Sequence, residues 1–273
     1  MTEELSLKEL QEECLKILKD VHQFCVDNKI CYSVAYGTLI GTIRHKGFIP
    51  WDDDIDIVMP RNDYERFCRT YLSKRYKLSC LENNRDHYLA FARVYDDKDT
   101  RSEDIIPWCK SDSGVWIDIF PIDYVSDNES EFKSFHAELK KYWWNTVFAR
   151  TSLASFDRSN SIIASIKLLI KKVLFINGIR VPYSVKYFDN QIRQKSLGMT
   201  NHWSQLSCLD GYEWNDIQDF QRTSLMKFED MEVFVMNGYD KVLRDYYGDY
   251  KTVPPQENQK GHSDGLTKFY WKK

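Results

Sequence analysis

No stretch of the chain reaches the ~20 uninterrupted apolar residues that a membrane-spanning helix needs, so no transmembrane segment is expected. The start, Met-Thr-Glu-Glu-Leu, has neither the basic opening nor the apolar run of a secretory signal, and a cytoplasmic protein is the expectation. Seven cysteines, at 14, 25, 31, 68, 80, 109 and 208, form no Cys-x-x-Cys pair and no zinc-type spacing. Their number is odd, and reduced core cysteines are the economical reading. Charge of one sign is also scarce, the net being -3. That balance argues against binding nucleic acid by bulk electrostatics. There is no internal repeat and no low-complexity tract.

What is present is enough for a sizeable core: 273 residues, 42% hydrophobic and 15% aromatic, fit one large domain or one domain with an elaboration. Ser6-x-x-Glu9 reads as a capping box, and Leu7, Leu10, Cys14, Ile17, Leu18, Val21, Phe24 and Cys25 follow at helical spacing. A strand is expected over Cys31–Ala35, a short helix over Leu39–Arg44, a strand over Ile55–Met59 and a helix from about Asn62 to Leu72. Two strands within 77–95, an acidic turn over Asp96–Asp104, a strand over Val115–Phe120 and a long helix over 129–149 come next. Met231–Val235 reads as a strand, and Tyr239–Tyr247 as a last helix stopped by Gly248. Interleaved helices and strands with tight hairpins imply a mixed sheet with helices packed on it.

Residues 36–59 concentrate the chemistry. A glycine turn at Gly37-Thr38 allows a ligand close to the backbone, and the helix after it can turn its N-terminus toward phosphate. Arg44 and Lys46 suit a diphosphate, Arg by bidentate contact and Lys as a point charge. Asp54 and Asp56, at i and i+2 on a strand, point the same way and can hold one hard cation together. By themselves Asp52-Asp53-Asp54 would be a solvated turn and Arg44–Lys46 a basic surface loop. Acids set against Ile55, Ile57 and Val58 make unpaired charge expensive, which favours the metal reading. His45 reads as a loop histidine.

This stretch, with Gly37-Thr38, Arg44-His45-Lys46-Gly47 and Trp51-Asp52-Asp53-Asp54-Ile55-Asp56-Ile57, resembles the LicD family of bacterial phosphotransferases. Gly114-Val-Trp-Ile-Asp118-Ile-Phe-Pro-Ile-Asp123 resembles the family's second acidic strand, and Tyr247-Gly-Asp-Tyr250 with Pro254-Pro255 its C-terminal signature. The resemblance implies an α+β, nucleotidyltransferase-like mixed-sheet palm with N-terminal and C-terminal helical additions. It implies a catalytic core over 1–125, a helical acceptor-binding elaboration over 126–230, and a segment over 231–273 packing back on the core. The reaction implied is transfer of a phospho-alcohol, with CDP-choline the favoured donor, to a hydroxyl of a surface glycan or teichoic acid precursor that can be lipid-linked. Phosphoribitol or phosphoglycerol transfer, nucleotidyl transfer to a small molecule, and non-catalytic glycan binding are the alternatives.

On that resemblance Asp118 joins Asp54 and Asp56 as metal ligands for Mg²⁺ or Mn²⁺, unless it is a strand acid paired with an arginine. Asp52 is the favoured rim acid, with Asp53 beside it, to receive a hydroxyl proton. Arg93 matches a basic position and is a further phosphate candidate. Asp123 either supports the site or caps a turn after Pro121. For a choline donor, Tyr36, Trp51 and Trp116 are candidates for an aromatic cage. Residues 158–188 contain no acid, carry Lys167, Lys171 and Lys172, and place Ile162, Ile166, Leu169, Ile170 and Val173 on one helical face. Such a helix either meets a membrane surface or faces the core.

Overall fold

The computed structural model describes residues 3–104, 114–150, 181–196, 198–261 and 267–272. The capping box is formed: the Glu9 amide donates to the Ser6 hydroxyl at 3.3 Å, and the Ser6 amide to the Glu9 carboxylate at 2.8 Å. It starts α1 (Leu7–Asn28), which buries Leu10, Cys14, Ile17, Leu18, Val21 and Cys25 along one stripe. The chain continues through β1 (Ser33–Val34), α2 (Tyr36–Arg44), β2 (Asp56–Pro60), α3 (Arg61–Thr70), β3 (Lys77–Ser79) and β4 (Ala92–Tyr95). After these come β5 (Thr100–Asp104), β6 (Trp116–Val125), α4 (Glu129–Arg150), α5 (Val181–Lys195), β7 (His202–Gln205) and β8 (Asn215–Asp216). The hairpin β9 (Thr223–Phe228) and β10 (Met231–Met236), then α6 (Tyr239–Tyr247) and β11 (Thr267–Trp271), complete it. The architecture is α+β, as expected.

The main sheet runs β1-β2-β6-β4-β3, with β7 and β8 attached through β6. Only β2 and β6 are parallel within it. The ten-residue β6 pairs with β4 over Trp116–Ile119 and with β7 over Ile122–Val125, both antiparallel. Pro121 falls between those two ladders, so its missing N–H interrupts neither. Ile55, Ile57, Ile117 and Ile119 are fully buried under α1 and its neighbours. A second core joins Phe132, Leu139 and Trp143 of α4 to Val185, Phe188 and Ile192 of α5.

Three expectations change. The acidic turn is confined to the residues around Asp96, whose carboxylate accepts from the Lys98 and Asp99 amides at 2.7 and 3.1 Å. Thr100–Asp104 is a strand because β11 pairs with it antiparallel, a partner far along the chain that no local pattern announces. The helix α2 begins at Tyr36, three residues earlier than its apolar pattern implies, with Tyr36 at φ 49. Segment 126–230 is not helical throughout, since β7 and β8 extend the main sheet. Of the stretch 158–188, residues 158–180 lie outside the described residues, and Val185 and Phe188 face the second core. Among the described residues no helix is long and apolar enough to cross a membrane.

Candidate active site

Parity along β6 decides which acids meet. Successive strand residues face opposite sides, so Asp118 and Asp123, five apart, cannot share a face. The parallel register sets Asp118 beside Asp56, and the antiparallel register sets it beside Arg93. Asp56, Asp118 and Arg93 therefore lie in one row across three strands. Two residues before Asp56, Asp54 emerges on the same side from the loop that follows α2. A hydrogen bond from the Asp56 amide to the Thr38 hydroxyl at 2.9 Å fixes the start of β2. The Gln11 side chain holds the Asp52 carbonyl at 2.8 Å, so α1 sets the height of the acid loop.

Ligand atoms of Asp52, Asp53 and Asp54 gather within 4.8 Å of one another. A Cβ on Gly37 would lie 2.7 Å from an Asp52 carboxylate oxygen, so only glycine lets that carboxylate come so close. Burial, then Asp54 and Asp53, push the Asp52 carboxyl up to about 8. Burial, then Asp54, Asp118 and Asp52, push Asp56 well above the usual carboxylate range, with Arg93 opposing. This is the signature of clustered acids short of a cation. Hard oxygen donors converging with excess negative charge fit Mg²⁺ or Mn²⁺. Of the expected set Asp54, Asp56 and Asp118, Asp54 belongs to the group gathered within 4.8 Å, with Asp52 and Asp53, while Asp56 and Asp118 stand beside it as register partners on β2 and β6.

Arg93 is the cation already in place. Its Nε donates to Asp118 Oδ1 at 2.7 Å, and its guanidinium lies 4.1 Å from the Trp116 ring centroid. Asp118 is thus both a member of the acidic row and an arginine partner. Trp116 presents that ring to Arg93 and also packs on Phe269, at 4.9 Å between ring centroids.

Tyr36, Gly37, the acids 52–54, Asp56, Arg93, Trp116 and Asp118 all line one cavity of about 520 Å³, a size typical of small-molecule sites. Four predicted residues do not line it. Thr38 is buried behind Asp56. Arg44 donates to the carbonyls of Tyr250 and Thr252 at 2.8 and 3.2 Å and touches His45. Lys46, at φ 61, reaches the Ile43 carbonyl at 3.1 Å. The adjoining Gly47 is pressed against Glu229 of the β9–β10 turn, which leaves no room for a side chain. Trp51 packs on the main core and meets His45 edge-on. His45 is a loop residue, its proton affinity lowered by burial and by Arg44.

Asp123 neither supports the acidic row nor caps a turn. Because β6 continues to Val125, Asp123 faces the other way and takes a two-pronged contact from Arg61 at 2.8 and 2.6 Å. Arg61 also reaches Asp189 of α5 at 3.4 Å.

Sequence reasoning missed part of the cavity's lining. Glu213, Tyr246, Tyr247 and Phe120 line the same cavity as the acids. The Tyr36 hydroxyl donates to Glu213 at 2.8 Å. Burial pushes the Glu213 carboxyl up to about 7. The available signal was the Tyr247-Gly-Asp-Tyr250 signature, whose first member and its neighbour Tyr246 turn out to line the cavity.

Comparison with known proteins identifies the family. Residues 29–159 match the family described as "LicD/FKTN/FKRP, nucleotidyltransferase domain". The lipopolysaccharide cholinephosphotransferase LicD of Haemophilus influenzae is 32% identical over 270 residues, covering 94% of this chain and 96% of that protein. Shorter matches occur to an uncharacterized protein of Rickettsia typhi (42% over 52 residues, 19% of this chain and 17% of that one). A second, from Rickettsia prowazekii, is 44% identical over 48 residues, 18% of each chain. With the acidic row on β2 and β6 and a relative matched almost end to end, the chain belongs to the LicD family and is a LicD-like phosphotransferase.

Proposed function

We propose that the protein moves phosphocholine from CDP-choline to a glycan hydroxyl, of the kind that lipopolysaccharide or a teichoic acid precursor offers. The observation that carries this reading is the mixed lining of one cavity, in which the acids 52–54, Asp56, Asp118 and Arg93 share the space with Tyr36, Tyr246, Tyr247 and Glu213. A CDP-choline donor has matching groups, a diphosphate and a cation. The name of the Haemophilus relative, a lipopolysaccharide cholinephosphotransferase, supports the same choice.

A divalent cation, Mg²⁺ or Mn²⁺, held by Asp54, Asp56 and Asp118, would offset the diphosphate's charge and stabilise charge developing on its oxygens. The chain's own groups do the rest. Arg93, steadied by Asp118 and Trp116, faces the same charge from the neighbouring strand. Asp52 stands at the rim, where it can accept the proton of the acceptor hydroxyl. The hydroxyl oxygen bonds to the choline-bearing phosphorus as the bond from that phosphorus to the bridging oxygen breaks, and CMP departs with the bridging oxygen. Arg44 and Lys46 are turned to backbone carbonyls and are left out of this scheme.

Calorimetry with CDP-choline, CDP-ribitol, CDP-glycerol and CTP, in Mg²⁺ and in EDTA, tests the reading. Metal-dependent preference for CDP-choline is expected. Preference for CDP-ribitol or CDP-glycerol would replace the transferred group, and preference for CTP would turn the reading to nucleotidyl transfer. Binding of none of them would favour a non-catalytic glycan-binding role.

A further inference from the structure

We propose that Glu213, with the rings of Tyr36, Tyr246 and Tyr247, is the seat for the donor's quaternary ammonium and selects choline over neutral alcohols. This rests on the phosphocholine reading and names the residues behind its specificity. Of the three aromatic residues that the sequence offered for this task, only Tyr36 is placed for it. Trp51 is packed into the core side and Trp116 is engaged by Arg93.

Three elements build the seat. Tyr36 opens α2, with its ring centroid 5.7 Å from Tyr246 and 5.9 Å from Phe120. Tyr246 and Tyr247 end α6, with centroids 4.7 Å apart. Glu213 comes from the loop before β8. At Gly211 a Cβ would sit 2.5 Å from the Tyr246 ring, so a glycine allows this loop to close on α6.

The hydrogen-bond partners of Glu213, Tyr36 and Asn215, are both neutral. Elsewhere Asp96, Asp123 and Asp189 each have an arginine. A trimethylammonium donates no hydrogen bond; it is recognised by aromatic faces and a nearby negative charge, which is what these side chains offer. Ribitol or glycerol would instead need partners for several hydroxyls. Position agrees as well. Tyr36 and Gly37 are consecutive, one lining the seat and the other touching Asp52, and choline's two-carbon spacer joins a phosphate to an ammonium over a comparably short reach. Negative Glu213 also discourages the donor from binding in reverse.

The test is calorimetry in Mg²⁺ with two ligands, CDP-choline and its neutral analogue bearing tert-butyl in place of trimethylammonium. The wild type should prefer CDP-choline by about tenfold or more, the scale of a desolvated cation–π and carboxylate contact. Glu213→Gln should erase most of that preference by weakening CDP-choline alone, leaving the analogue's affinity unchanged. Tyr247→Leu should narrow the preference too, and because Tyr247 is 43% exposed this variant folds even where a Glu213 change does not. Full preference retained in both variants overturns the seat while the phosphocholine reading stands. A wild type that binds neither ligand overturns that reading, and the seat with it.

Discussion

Two faces of one strand carry acids under opposite conditions. On one face of β6, Asp123 is sealed against Arg61, with no exposed side-chain area on the acid and 11% on the arginine, and Asp189 and Arg193 extend the network to α5. On the other face Asp118 joins Asp56, Asp54, Asp53 and Asp52, with Arg93 the one cation among the described residues that line the cavity. The first set is balanced and ties α3, β6 and α5 together. The second is left with excess negative charge, and burial together with that charge raises the proton affinity of Asp52 and Asp56. Stability accounts for the first arrangement and argues against the second, which the proposed cation would offset.

Breaking the balanced face should have the largest effect on folding. Arg61→Met strands the buried Asp123, while Asp189 keeps Arg193, and should lower stability by about 3–5 kcal/mol in urea unfolding, while transfer per folded molecule is retained. On the unbalanced face the pattern should invert. Asp56→Asn should reduce transfer by about 10²–10³-fold, the scale of losing one electrostatic group from a transition state, yet leave the metal-free protein at least as stable as the wild type. Arg44→Met, a change outside both sets, should cost about 1.5–3 kcal/mol through its lost contacts with Tyr250 and Thr252, without weakening CDP-choline binding.

The smallest effect concerns Glu213. Its folded pKa, about 7, stands above the ordinary glutamate value of 4.5. The folded protein thus holds the proton more tightly, and this contribution to stability is present below pH 4.5 and lost as pH rises through 7. Binding of a cation runs the other way, because it wants the ionised acid. The preference for CDP-choline over the tert-butyl analogue should rise about tenfold from pH 6 to 8 and be flat in Glu213→Gln. The rings that face Glu213 do not share this range, since Tyr36 and Tyr247 are pushed up by burial and Tyr246 to about 12, whereas Asp52 in the same cavity, at about 8, does. Asp210 on the same loop lines the cavity as well, which is why the ratio of two ligands, rather than one affinity, is the quantity to follow.

Local chemistry was the legible part. The Ser6–Glu9 box, the α1 stripe, the last helix with Gly248 after it, and the run of acids over 52–56 are each set by residues close together in sequence. What was misread depends on partners far along the chain. Asp123 looked like a companion of Asp118 until the unbroken length of β6 put it on the other face. Arg44 and Lys46 looked like phosphate ligands until the C-terminal segment and the Ile43 carbonyl claimed them. Thr100–Asp104 became a strand only through β11. Glu213 gave no signal at all, since its partner Tyr36 is 177 positions away.

Thermal unfolding of the wild type and of Asp56→Asn, each in EDTA and in Mg²⁺, tests the central claim that the acids on β2 and β6 are kept for a cation. The account predicts that Mg²⁺ at about 100 times its Kd raises the wild-type Tm by roughly 5–10 °C. It also predicts that Asp56→Asn melts no lower than the wild type in EDTA and responds weakly to the metal. A wild type indifferent to Mg²⁺, with Asp56→Asn melting lower in EDTA, would contradict it.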